Sequence, residues 1–238
     1  MKSNRFQKVF IYLIIIGLIG VSIVANSSSD ESNIDSRSTT LYVGGSGPGN
    51  YTTIQSAIDD ASSGDAVFVY NGTYYENVIV NKTIDLIGES KKNTIIDGKP
   101  IGTCIFILSD NVDVSNFYMI NSRLGVNIWS KYNKVSDCSI CDMTFWGIHI
   151  SGASYNNIFN NTIINVTDSS QGVGILLEGS TNNKLIGNTV KNTNSDIYIS
   201  GDSDNNTIYH NNFLTIGNTL IHGNNICDNG YPSGGNYW

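Results

Sequence analysis

Two hydrophobic patterns divide this chain. From Val9 to Ala25, seventeen residues run apolar but for Ser22. Beyond residue 40 the apolar positions come in short bursts, among them Val78-Ile-Val80, Thr83–Ile87, Thr94-Ile-Ile96 and Cys104–Leu108. These bursts are rich in β-branched residues and separated by Gly, Asn, Lys and Asp, which predicts short strands joined by turns. One stretch has a different period. Ile54, Ala57, Ile58 and Ala61 share one face, Thr52-Thr-Ile-Gln55 fits a capping box, and Gly64 stops the run. That predicts a single helix over residues 52–63.

In the second half the bursts become a repeated phrase. It reads Asn133-x-Val135-x-x-Cys138-x-Ile140, then Asn156-x-Ile158-x-x-Asn161-x-Ile163. Asn183-x-Leu185-x-x-Asn188-x-Val190 and Asn206-x-Ile208-x-x-Asn211-x-Phe213 follow, at steps of 23, 27 and 23 residues. Val112-x-Val114-x-x-Phe117-x-Met119 is an earlier variant copy. A second strand accompanies each copy: Gly125–Ile128, Gly147–Ile150, Gly174–Leu177, Asp196–Ile199 and Asn218–Ile221. A period of this size marks one structural unit stacked on itself. Short strands without hairpin turns between copies fit a single-stranded, right-handed parallel β-helix, all-β, with each coil about 4.8 Å above the last. Roughly seven coils are expected, with the helix capping the first.

Stacking then assigns the residues. Ile158, Leu185 and Ile208 form one internal aliphatic column; Ile163, Val190 and Phe213 form another. Asn161, Asn188 and Asn211 fall at a bend, where their amides can bond backbone groups and one another as a ladder. The longer step places extra residues in a loop at 165–173, and loops on a rigid coil are where specificity resides.

Composition narrows the function classes. The chain has 238 residues, of which 32 are Asn, and only 14% are charged. Lys2, Arg5 and Lys8 precede the long apolar run. Residues 1–25 therefore read as a secretory signal, with an uncleaved N-terminal anchor as the rival because seventeen residues sit at the lower limit for a bilayer span. A membrane tether through residues 9–25 belongs to that rival. Residues 26–40 are a polar linker and 41–238 the repeat domain, placed outside the cytoplasm, extracellular or at the cell surface. After Ala25 there are ten Lys and Arg against twenty acids, a formal charge of −10. No basic patch remains for nucleic acid. Asn-x-Ser/Thr sequons occur at Asn26, Asn50, Asn71, Asn81, Asn160, Asn165 and Asn205.

The segments Thr53-Ile-Gln55-x-Ala57-Ile58, Asn71-Gly-Thr-Tyr74-x-Glu76-Asn77-Val78 and Ile84-x-Leu86-Ile-Gly88 resemble the start of pectin-lyase-fold repeat proteins. The later Asn-Asn-x-Ile-x-x-Asn coils resemble NosD-like β-helix repeats of archaeal cell-surface proteins. The closing Asp228–Trp238 segment is similar to the tail of such arrays. The resemblance spans residues 41–238 and rests on structural positions, so it implies fold more than function. It brings copper delivery, carbohydrate binding and sugar hydrolysis into view. Copper finds little support in three His and three Met with no soft-ligand cluster.

The candidate chemistry is sparse. Cys104, Cys138, Cys141 and Cys227 are candidates for disulfides or for buried thiols. Cys138-x-x-Cys141 invites a metal or redox reading, but Cys138 takes the inward slot of the Asn ladder and Cys141 has the opposite parity. The outward positions of the second strand read Asn127, His149, Leu176, Tyr198, Leu220 and Trp129, Ser151, Glu178, Ser200, His222. Trp129 and Tyr198 suit stacking on sugar rings. His149 and Glu178 lie on neighbouring coils with Cα atoms on the order of 8 Å apart, a spacing that admits an acid/base pair with substrate between them. No second carboxylate, Arg or Lys joins them: Asp137 and Asp142 diverge and Arg123 falls in a turn. The reading is a secreted or surface β-helix that binds polysaccharide or envelope components without catalysis. The alternative is a polysaccharide lyase, epimerase or hydrolase, the one case in which calcium would enter. The last coil has no cover unless the Tyr231–Trp238 tail folds over it or a partner does.

Overall fold

The computed structural model of the chain describes residues 38–167, 171–215 and 219–238. The N-terminal apolar run therefore lies outside the described residues, as do Asp168, Ser169 and Ser170 of the expected loop. Among the described residues no helix is long and apolar enough to cross a membrane.

The strands form a parallel β-helix whose coils have three faces. The first face is a sheet of eight parallel strands: Thr40–Val43, Ala66–Val69, Asp85–Gly88, Asp113–Ser115, Lys134–Ser136, Asn157–Phe159, Lys184–Ile186 and Thr207–Tyr209. Eight strands mean eight turns, one more than the repeat predicts. The extra coil is the first, built from Thr40–Val43, where no copy of the Asn phrase exists to announce it. The other two faces belong to one bent sheet. In two coils the strand turns the corner unbroken, at Tyr118–Ile128 and Ser139–Ser151. Later coils split there, into Thr162–Val166 with Val173–Glu178 and Thr189–Thr193 with Ser195–Ile199.

Register is set by the aliphatic columns. Val67, Leu86, Val114, Val135, Ile158, Leu185 and Ile208 stack one above another and are fully buried. Removing each such side chain from water contributes about 1.5–3 kcal/mol. A slip by one residue would expose the whole column, so the pairing has no competing register.

The corners carry the asparagines, in two ladders rather than one. At the corner between first and second faces, Asn161 donates its backbone N–H and its Nδ2 to Oδ1 of Asn188, both at 3.1 Å, and Nδ2 also reaches Val135 O at 2.9 Å. Asn188 repeats this toward Asn211. At the corner between third and first faces, Asn133, Asn156, Asn183 and Asn206 do the same. Every member is buried, and each amide satisfies backbone groups that the bend takes out of the sheet. The residue just before each ladder position is in the left-handed region, for example Asp137, Asn160 and His210 at one corner and Tyr155, Asn182 and Asn205 at the other. The third corner has no buried ladder; an exposed column runs there instead, Asn192 Nδ2 donating to Asn165 Oδ1 at 3.1 Å and Asn165 Nδ2 to Asp142 Oδ1 at 2.9 Å. Glycines stand beside it: a Cβ on Gly147 would lie 2.5 Å from Gly174 O and 2.6 Å from the Ile163 side chain.

The ends are closed differently. The helix spans Ile54–Asp60, shorter than expected, and buries Ile54, Ala57 and Ile58. Thr53 is its N-cap, accepting from Ser56 N, and the carboxylate of Glu76 takes the N–H groups of Ile54 and Gln55. At the other end the tail folds over the last coil. Asn225 and Asn236 extend the two ladders by accepting from Asn206 and Asn211. Trp238 stacks on Phe213 with ring centroids 5.0 Å apart.

All four cysteines are free thiols, so the disulfide alternative does not hold. Cys138, just before the strand Ser139–Ser151, belongs to the core, and Cys141 in that strand has the opposite parity to the inward Ile140. Burial pushes the Cys104 and Cys138 thiols up to about 12.

Candidate functional site

The third face carries the candidate site. Its register aligns Asn127, His149, Leu176, Tyr198 and Leu220 in one column, as expected. Ser151 and Glu178 pair in the neighbouring outward column. Although this column points away from the core, Asn127, His149 and Leu176 are buried. The corner side chains fold over them: the Trp146 ring lies 4.3 Å from the His149 ring, Phe145 lies 4.4 Å from Trp146, and the Arg123 guanidinium sits 4.6 Å over Phe145. Arg123 is thus in the strand Tyr118–Ile128, not in a turn, and belongs to this surface.

His149 and Glu178 meet directly. Nε2 is 2.9 Å from Glu178 Oε2, which leaves no room for a substrate between them. The expected acid/base gap is absent because both side chains lean across the strand interval and close it. The imidazole is buried while the carboxylate is half exposed, with side-chain exposures of 6% and 48%. Burial pushes the His149 pKa below its ordinary value, and Glu178 opposes this only in part. The ring is therefore neutral near pH 7, and Nε2 carries the proton because it faces a carboxylate acceptor. The contact is a hydrogen bond that fixes the carboxylate in place. Nδ1 is left as a buried acceptor, and Asn127 Oδ1, on the adjacent coil, is another; neither has a hydrogen-bond partner in the described structure.

Above this pair a groove of about 610 Å³ opens along the face. Trp146, Leu176, Tyr198, Leu220, Gln171 and the half-exposed Glu178 are among the residues that line it. The expected loop contributes through Gln171, Gly172 and Val173. Of the two aromatics expected to bind sugar, Tyr198 lines the groove and Trp129 does not. Trp129 is 57% exposed and packs edge-on against Phe106, three coils from Tyr198. Trp146 was not singled out by sequence reasoning, because it precedes the Gly of the repeated strand and occupies no repeat position. The proximity of Phe145-Trp146 to Gly147 was the available signal.

The sequence model of the NosD family, described as a periplasmic copper-binding protein, matches residues 58–219 and 146–238. The chain belongs to the NosD family. A curated relative, a cell surface glycoprotein of Methanothermus fervidus, is 27% identical over 155 residues. That match covers 64% of this chain and 23% of the relative, so the chain spans under a quarter of that protein's length. Among solved structures, an alginate lyase from Paenibacillus sp. superposes with a TM-score of 0.53 at 15% identity, covering 84% of this chain and 97% of the lyase. A pectate lyase superposes at 0.54 and 15% identity, covering 79% and 58%. At such identity the likeness is one of fold.

The NosD description raises copper. Among the described residues no three His, Cys, Asp or Glu side chains gather at one point. His149 is committed to Glu178, and the buried Cys104 and Cys138 stay protonated thiols, whereas the thiolate is the ligand form.

Proposed function

We propose that this chain is a surface-exposed β-helix module that binds polysaccharide in the groove of its third face. The carrying observation is the Glu178 carboxylate, fixed by a neutral His149 and lining a groove together with Trp146 and Tyr198. Aromatic side chains offer flat apolar faces, and an oriented carboxylate accepts hydrogen bonds from hydroxyl groups. The name of the Methanothermus relative and the family's periplasmic description support a position outside the cytoplasm. A buried, neutral histidine already occupied by its carboxylate supports binding over acid/base catalysis.

Titration calorimetry against soluble neutral and uronate polysaccharides tests this. Glu178→Gln and Tyr198→Ala should each weaken binding about tenfold or more, while Trp129→Ala should leave it unchanged. A chain that binds none of these polymers would refute the reading. The enzymatic alternative is tested in the same samples: release of unsaturated or reducing ends, abolished by Glu178→Gln, would replace binding with catalysis.

A further inference from the structure

The corner between the third and first faces places one residue per coil in the left-handed region. Over five successive coils these are Asn111, Tyr132, Tyr155, Asn182 and Asn205, with φ of 56°, 60°, 62°, 57° and 58°. Asparagine adopts this region readily, whereas a bulky side chain does so under strain. Two coils therefore carry tyrosine where the column otherwise uses the unstrained residue. Their backbones do the same work as their neighbours: Tyr132 N–H reaches Ser154 O and Tyr155 N–H reaches Thr181 O, each at 3.3 Å. The fold does not ask for tyrosine at either place.

The two rings stack on each other, centroids 5.1 Å apart and planes within 8°, yet remain 54% and 47% exposed. One exposed stacked pair returns less than two strained backbones cost. The residues just before this column supply hydroxyls on two successive coils, Ser154 Oγ and Thr181 Oγ1 3.0 Å apart, with Asn182 Nδ2 donating to Thr181 Oγ1 at 3.1 Å and the opposite charges of Lys131 and Asp204 on the flanking coils. Flat apolar faces next to hydroxyl and amide groups complement a sugar ring, whose C–H face stacks while its hydroxyls hydrogen-bond.

We infer that Tyr132 and Tyr155 form a second glycan subsite, specific for neutral sugar rings, at the edge of the third face. This rests on the polysaccharide-binding reading of the groove. The strain is retained because the exposed rings are used for binding.

The full chain and a Tyr132→Asn/Tyr155→Asn double variant are titrated with soluble cellulose oligomers, mannan and polygalacturonate, and their Tm values are measured. The subsite requires that the variant be more stable, by roughly 2–8 °C, while its affinity for a neutral polymer falls about tenfold or more. A lowered Tm would show that the tyrosines hold the corner, overturning the inference. So would unchanged affinity in the double variant when Glu178→Gln still weakens binding, and in that case the groove reading stands. Binding of polygalacturonate alone would overturn the neutral-sugar assignment. If the unaltered chain binds none of the polymers, it is the groove reading that fails, and the subsite with it.

Discussion

The two halves of this solenoid solve the same corners with opposite chemistry. In the first half the corner positions are apolar: Ile84 and Val112 at one corner, Phe117 and Cys138 at the other, all buried. In the second half the equivalent positions are Asn156, Asn183 and Asn206, and Asn161, Asn188 and Asn211. Coil lengths differ accordingly. The inward column runs Val67, Leu86, Val114, Val135, at steps of 19, 28 and 21 residues, before the ladders are established. It then runs Val135, Ile158, Leu185, Ile208, at steps of 23, 27 and 23. An apolar corner packs against whatever precedes it, so the chain between corners varies freely. An amide corner must present its oxygen at one height and angle, so the chain between corners absorbs the variation: the rungs of one ladder step by 23, 27, 23 and 19 residues. The step of 27 takes its extra length between Asn161 and Asn183, across the corner that lacks a buried ladder, and there the groove lies.

Four measurements sharpen or break this contrast. The largest effect is expected from Asn188→Leu, which puts the first half's solution into the second. It would remove the acceptor of the Asn161 N–H and the amide donor to the Ile158 carbonyl, and leave Asn161 Nδ2 with Val135 O alone. At about 1–3 kcal/mol for each unmade bond, the loss should reach roughly 3–6 kcal/mol in urea unfolding. A loss under about 1 kcal/mol would show the ladder to be dispensable.

Next comes pH. His149 has a pKa below its unfolded value, so the unfolded chain binds that proton more readily. Stability is complete above about pH 6.5 and declines as pH falls through that value toward the folded pKa. The urea midpoint should drop between pH 7 and pH 5, and His149→Phe should flatten the drop. An unaltered slope would mean that His149 is not held neutral.

The reciprocal exchange, Cys138→Asn, should extend a ladder by one rung. Cys138 N–H already donates to Asn161 Oδ1, so the new amide finds an acceptor waiting. A gain of about 1 kcal/mol is expected for the added hydrogen bonds; a loss would place the boundary between the two chemistries in the packing of that coil. The smallest effect concerns the thiols. With burial holding Cys104 and Cys138 near 12, a thiol reagent at pH 8 should label Cys227 first in the native protein and reach those two only on unfolding.

Much of this was legible in the repeat. A period of 22 to 27 residues, with β-branched inward positions, leads to a parallel β-helix with few alternatives, and the inward Asn161, Asn188 and Asn211 read correctly as a ladder. The second ladder was written just as plainly in Asn133, Asn156, Asn183 and Asn206. It was missed because those residues open the phrase and look like turn formers. The first coil was missed because it has no phrase at all. The site was legible only as columns. Alternation says that His149 points outward, but not that Trp146 folds over it, nor that it closes on Glu178, since side-chain lean is set by neighbours outside the repeat. Tyr132 and Tyr155 were invisible for a related reason: sequence shows a tyrosine, and only dihedral angles show that it occupies a position built for asparagine.

The ladders also have a direction. Within each ladder, Oδ1 accepts from the rung on its N-terminal side and the N–H groups donate to the rung on its C-terminal side, while Nδ2 also reaches back to a backbone carbonyl of the preceding coil. Strand dipoles within a sheet largely cancel, but these amides all point one way, as peptides do in a helix. The solenoid therefore carries two parallel strings of aligned dipoles along its axis, each rung polarising the next. Such an object is vectorial. A coil can be added or removed only as a whole unit, in the same orientation, bringing its own acceptor for the donors below and its own donors for the acceptor above.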